Sequence, residues 1–68
     1  MFKNLKAEMA RNGYKNKDMA DILGISRQSF EFKMRTGKFK IIEAVTMCKL
    51  FSCDFGYLFD VELENISA

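Results

Sequence analysis

The segment Met19-Ala20-Asp21-Ile22-Leu23-Gly24-Ile25-Ser26-Arg27-Gln28-Ser29-Phe30 leaves this chain few folds to choose from. Met19, Ile22 and Leu23 stand at i, i+3 and i+4, the spacing of one face of a helix. Gly24 follows where a helix C-terminus needs a left-handed residue, which glycine adopts at little steric cost. Ile25 is placed to plug a corner, and Ser26 is a good N-cap for a new helix. Phe30, four residues on, gives that helix an inward face, and Ala20 is small where the two helices must approach closely. A helix, a glycine stop, an apolar plug and a capped restart together predict a tight turn between two short helices. An ordinary helical hairpin in an all-α domain satisfies the same pattern.

The remaining chain reads as more short helices. Phe2, Leu5 and Met9 form a stripe for a helix over about 2–12, ended by Gly13 with Arg11 in its last turn. The second helix covers about 16–23, with Lys15 where a short polar cap is usual and Asn16 available to cap one residue further in. The third runs from Arg27 to Arg35. Its Ser26–Ser29 spacing lacks the Glu or Gln of a capping box, and Thr36-Gly37-Lys38 breaks it. Ile41, Ala44, Val45, Cys48 and Phe51 predict a fourth helix over about 41–52, and Asp54 caps a short fifth that presents Phe55, Leu58 and Phe59. The stripe residues Phe30, Met34, Phe51, Leu58 and Phe59 read as core. Residues 1–60 make one domain and 61–68 a tail, the one weak period-two stretch. That tail is either frayed or a strand that pairs with a second copy.

Sixty-eight residues hold a single core and bury only ~60% of the unfolded surface. With 49% hydrophobic and 29% charged residues, no proline and no low-complexity tract, the composition is that of a folded protein. Apolar runs are too short to span a membrane, and the N-terminus lacks the apolar run of a secretory signal. Cys48 and Cys53 have no second cysteine pair and no histidine with which to build a zinc site. They are expected to be two reduced structural thiols in a cytoplasmic chain.

The net charge of +2 hides a division: residues 1–40 hold ten Lys/Arg and four Asp/Glu, net +6, and residues 41–68 hold one Lys and five Asp/Glu, net −4. Such segregation suggests one face for an anionic partner. With Phe30 and Met34 inward, the third helix leaves Arg27, Gln28, Glu31, Phe32, Lys33 and Arg35 outside or flanking. Arg27 can pair bidentately with guanine and Gln28 with adenine. Ser29 can reach a phosphate or a base edge, and Lys33 and Arg35 can neutralise phosphates. Phe32 can rest on a thymine methyl, or fold back onto Phe39. Lys15 and Lys17 open the second helix, whose N-terminal amides suit a phosphate, and Lys38 and Lys40 follow the third. These lysines are placed to meet the strands on either side of a groove-bound helix.

At these residues the chain resembles the phage repressor and Cro-type helix-turn-helix family, also called XRE-like. The matching stretches are Asn16-Lys17-Asp18-Met19-Ala20, Leu23 to Phe30, Thr36-Gly37-Lys38, Glu43-Ala44 and Asp54-Phe55-Gly56-Tyr57-Leu58-Phe59, so the resemblance covers about residues 3–60. It implies a compact, all-α, five-helix repressor-like domain that binds a double-stranded DNA operator, usually as a homodimer on a palindrome, in a bacterial or phage-infected cell. It implies base contacts from Arg27, Gln28 and Phe32 and a phosphate contact from Asn16. The chain departs from the family in Lys15 and Lys40, which stand where Ser or Thr caps are usual. It departs also in a shorter turn before the fourth helix, and in Phe32 where a polar reader is common.

A second class of function is a protein-interaction module, such as an antitoxin-like partner, for which Phe39, Tyr57 and Phe59 could supply an exposed apolar patch. An enzyme is not expected: there is no histidine, no carboxylate pair beside a nucleophile, and no phosphate-binding glycine motif. No motif calls for a cofactor or a small-molecule ligand.

Overall fold

Each helix among the described residues is followed within two residues by a backbone with positive φ: Gly13, Gly24, Gly37, Ser52 and Asp60. A left-handed residue turns the chain and lets the following N–H groups reach back to the last carbonyls. A computed structural model describes residues 1–60, which form α1 (Lys3–Arg11), α2 (Asn16–Leu23), α3 (Arg27–Thr36), α4 (Ile41–Phe51) and α5 (Phe55–Leu58), with no strand among them. The expectations for the tail, residues 61–68, lie outside the described residues.

The α2–α3 connection forms as its residues predict. Gly24, at φ 71°, donates its N–H to the Asp21 carbonyl, and the Ile25 N–H donates to the Ala20 carbonyl at 3.0 Å. The Ser26 hydroxyl accepts the Ser29 N–H at 3.0 Å and so caps α3. Ile25 packs partly buried against the core, and Ala20 is fully enclosed. At α5 the Asp54 carboxylate accepts the Tyr57 N–H at 2.8 Å.

Two other helix starts rest on carboxylates instead of a conventional cap. The Lys15 N–H donates to Asp18 at 2.8 Å and the Lys40 N–H to Glu43 at 2.9 Å. Each is the reciprocal half of a capping box, in which the third helical residue reaches back to the backbone before the helix. Asn16 therefore does not cap α2. Its amide points to α3 instead.

The core joins Leu5 and Met9 of α1, Met19 and Ala20 of α2, Phe30 and Met34 of α3, Ala44 and Met47 of α4, then Leu58 and Phe59. Phe39, in the α3–α4 connection, sits among Phe2, Phe30 and Phe59 with ring centroids 5.8–6.0 Å away. That separation suits tilted aromatic packing. Glu8 is buried on α1 and joins the ends of the domain. It pairs with Arg11 and accepts the Tyr57 hydroxyl at 2.9 Å, while Asn4 donates to the Tyr57 carbonyl at 2.8 Å.

Helix α4 is rotated relative to the stripe predicted for it. Ala44 and Met47 face the core, but so does Glu43, whereas Ile41 and Val45 are exposed. Apolar residues lie on nearly every side of this helix, so hydrophobic spacing does not select its inward face. The inward partner of Glu43 does. The proposed patch of Phe39, Tyr57 and Phe59 is likewise not assembled: Phe59 is core and Phe39 is half-buried, which leaves Tyr57 alone exposed.

Candidate nucleic-acid interface

Phe30 and Met34 root α3 in the core and so aim its opposite side at solvent, where Arg27, Gln28, Phe32 and Arg35 are all exposed. Glu31 lies between this face and α2. One of its carboxylate oxygens accepts the Asn16 side-chain amide at 3.3 Å and lies 3.7 Å from Arg27 Nε. The Asn16–Glu31 hydrogen bond thereby links the start of α2 to the first turns of α3.

Phe32 is 45% exposed, and the Arg35 guanidinium lies over its ring, 5.5 Å from the centroid. This is cation–π distance. Phe32 does not fold back onto Phe39, whose aromatic neighbours are Phe2, Phe30 and Phe59. Instead it forms an apolar shelf with a cation on it. Ser29 is half-buried beside the cap.

Lys33 leaves the expected phosphate-binding set. Its ammonium donates to both oxygens of Glu43, at 2.8 and 2.6 Å, and its side chain is only 15% exposed. A charge so held is already neutralised inside the protein and has little left to offer a phosphate. Burial alone would raise the Glu43 pKa. The hydrogen bonds from Lys33 and from the Lys40 N–H, together with the charges of both lysines, outweigh it and hold the carboxyl below its usual range.

Lys15, Lys17, Lys38 and Lys40 are exposed, the first two before and at the start of α2, the others after α3. The Asp18 carboxylate already occupies the α2 N-terminus, so an anion approaching there meets the lysine side chains in place of a bare helix end. Sequence reasoning missed Lys6. It lines a hollow of about 330 Å³ together with Asn16, Glu31 and Arg35, which brings a cation of α1 to the same side as α3. The polar face of α1 was visible in the sequence, but not which neighbour it borders.

Cys48 and Cys53 are free and half-buried. Burial pushes both thiols up in pKa, helped at Cys48 by Asp54 and at Cys53 by Glu8, so neither is a ready nucleophile near neutral pH. Among the described residues no group of His, Cys, Asp or Glu could hold a metal, and no helix is long and apolar enough to cross a membrane.

No protein-family model, curated protein or solved structure matches this chain.

Proposed function

We propose that this protein is a sequence-specific double-stranded DNA-binding regulator of transcription, with α2, the Gly24–Ser26 turn and α3 acting as a helix-turn-helix and α3 entering the major groove. The observation that carries this reading is the outward face of α3. Arg27, Gln28, Phe32 and Arg35 are exposed together, none belongs to the buried core, and exposed lysines stand before α2 and after α3. Arg27 is exposed, and its nearest acidic neighbour, Glu31, lies 3.7 Å from Nε, on the side away from the terminal nitrogens that guanine would pair. Gln28 suits adenine and Phe32 a thymine methyl. Lys15, Lys17, Arg35, Lys38 and Lys40 supply phosphate neutralisation, with Lys6 added from α1. The resemblance to repressor and Cro-type proteins implies two copies on a two-fold operator, with their third helices about 34 Å apart.

Selection of binding sites from random duplex DNA at two salt concentrations tests the proposal. An enriched motif whose affinity falls steeply with salt is expected. An unenriched pool at moderate salt would overturn it. On the enriched site, Arg27→Ala is expected to cost ~1–3 kcal/mol and relax discrimination at one position, whereas Lys38→Ala weakens specific and random DNA alike. Equal losses on both DNAs for both variants would remove Arg27 as a base reader.

A further inference from the structure

An apolar hollow of about 300 Å³ opens between the α3–α4 connection, α4 and α5, lined by Phe2, Phe39, Ile41, Val45, Phe55 and Phe59. Ile41 is 84% exposed, and Val45 and Phe55 are exposed beside it. A contiguous apolar surface of this kind on a small domain marks a contact site. One wall of the hollow has a regular pattern. Gly37, Phe39 and Ile41 line it, and Lys38 and Lys40 alternate with them and are exposed. Among the described residues neither lysine forms an ion pair.

We propose that residues 61–64, which lie outside the described residues, cover this hollow from within the same molecule, with Val61 and Leu63 entering it and Glu62 and Glu64 meeting Lys38 and Lys40. The sequence Val61-Glu62-Leu63-Glu64 alternates apolar and acidic residues, the counterpart of the apolar and basic alternation over 37–41. An extended segment sends successive side chains to opposite sides, so one orientation satisfies both the hollow and its rim. Ile66 falls out of step with Val61 and Leu63, which limits the proposal to the first four residues. Position favours this occupant too. Phe59 lines the hollow only two residues before Val61, and Asp60, at φ 56°, turns the chain off the axis of α5. Four extended residues span about 13 Å, enough to cross such an opening. A tether this short gives the segment an effective concentration on the order of millimolar, against which any free partner must compete. A purely anionic partner would leave the apolar floor unfilled, and a purely apolar one would leave the two lysines unpaired. The contact does not rest on the DNA reading.

The test is NMR of the full chain without DNA, on a sample that mixes isotope-labelled and unlabelled copies. Nuclear Overhauser contacts from the methyls of Val61 and Leu63 to Ile41, Val45 and the Phe55 ring are expected within the labelled copies, and they should persist on dilution. Leu63→Asp should abolish them, shift the Ile41 and Val45 resonances, and raise the fluorescence of a dye that binds exposed apolar surface several-fold. The Leu5 and Met47 resonances should hold, which shows that the core stays folded. Glu62→Lys with Glu64→Lys should also release the segment, and adding Lys38→Glu and Lys40→Glu should restore it. Absence of the contacts would overturn the proposal. So would contacts seen only between labelled and unlabelled copies, which would place the segment on another molecule, or contacts that survive Leu63→Asp. Failure of the chain to bind DNA would leave these outcomes unaffected, because no DNA is present.

Discussion

Glu43 accepts the Lys33 ammonium on both carboxylate oxygens and the Lys40 N–H on one of them. Removing one partner of such a buried pair leaves a charge without compensation, so Lys33→Met is expected to cost about 3 kcal/mol in a denaturant melt. Lys33→Met combined with Glu43→Gln should recover much of that loss, since the amide still accepts from Lys40 and no charge stays buried. The double variant keeps the net charge, and the salt dependence of its DNA binding should match the parent's. A shallower dependence would return Lys33 to the phosphate contacts. Because the folded Glu43 pKa is depressed, its contribution is present above the unfolded pKa and fades as the pH falls through the acid range toward the folded value. Acid melts of the parent should show this loss, and melts of the double variant should lack it. The charge of Lys33 was legible in the sequence, but its partner ten residues on was not, because only the α3–α4 packing brings them together.

At the scale of the helix, the α2–α3 turn and the end of α4 use the same left-handed stop with different residues. Gly24 occupies it at φ 71° with nothing near where a Cβ would lie, so Gly24→Ala meets backbone strain alone and is expected to cost ~1–2 kcal/mol. Ser52 occupies it at φ 53° with a side chain that gains nothing there in packing, being exposed. Ser52→Gly is therefore expected to raise the melting temperature by a few degrees, through relief of up to about 1 kcal/mol. A lower melting temperature would show that the strain is smaller than the entropy glycine adds to the unfolded chain. The end of α2 and the start of α3 were readable because Gly24 and Ser26 bracket the turn between them. The inward face of α4 was not, because Ile41, Ile42 and Val45 offer a stripe as apolar as the one the core took.

Across the whole molecule, the Tyr57–Glu8 hydrogen bond ties α1 to α5 through residues 49 apart in sequence. The hydrogen bond to Glu8, followed by burial, raises the Tyr57 pKa, since ionising the phenol would set two negative charges together. A raised folded pKa means that the link contributes fully below the ordinary phenol range and is lost as pH rises through the folded value. Tyr57→Phe should lower the melting temperature at neutral pH, and its difference from the parent should shrink in alkaline buffer. A difference that is constant with pH would assign the effect to packing instead.

Local chemistry along the chain was enough to determine the five helices of the described residues, the glycine stops of the first three, the capped start of α3, and the division of charge along the sequence. These depend on φ preference, periodicity and caps, all of which act over a few residues. Tertiary structure alone decided which cations remain free. It placed Lys33 inside with Glu43, turned Asn16 from a cap into a partner of Glu31, stood Arg35 on Phe32, brought Lys6 beside them, and left Ile41 and Ile42 in solvent. Each of these follows from how one helix rotates against another. That rotation is set by the total packing of the core and by buried pairs between residues distant in sequence, neither of which a local pattern encodes.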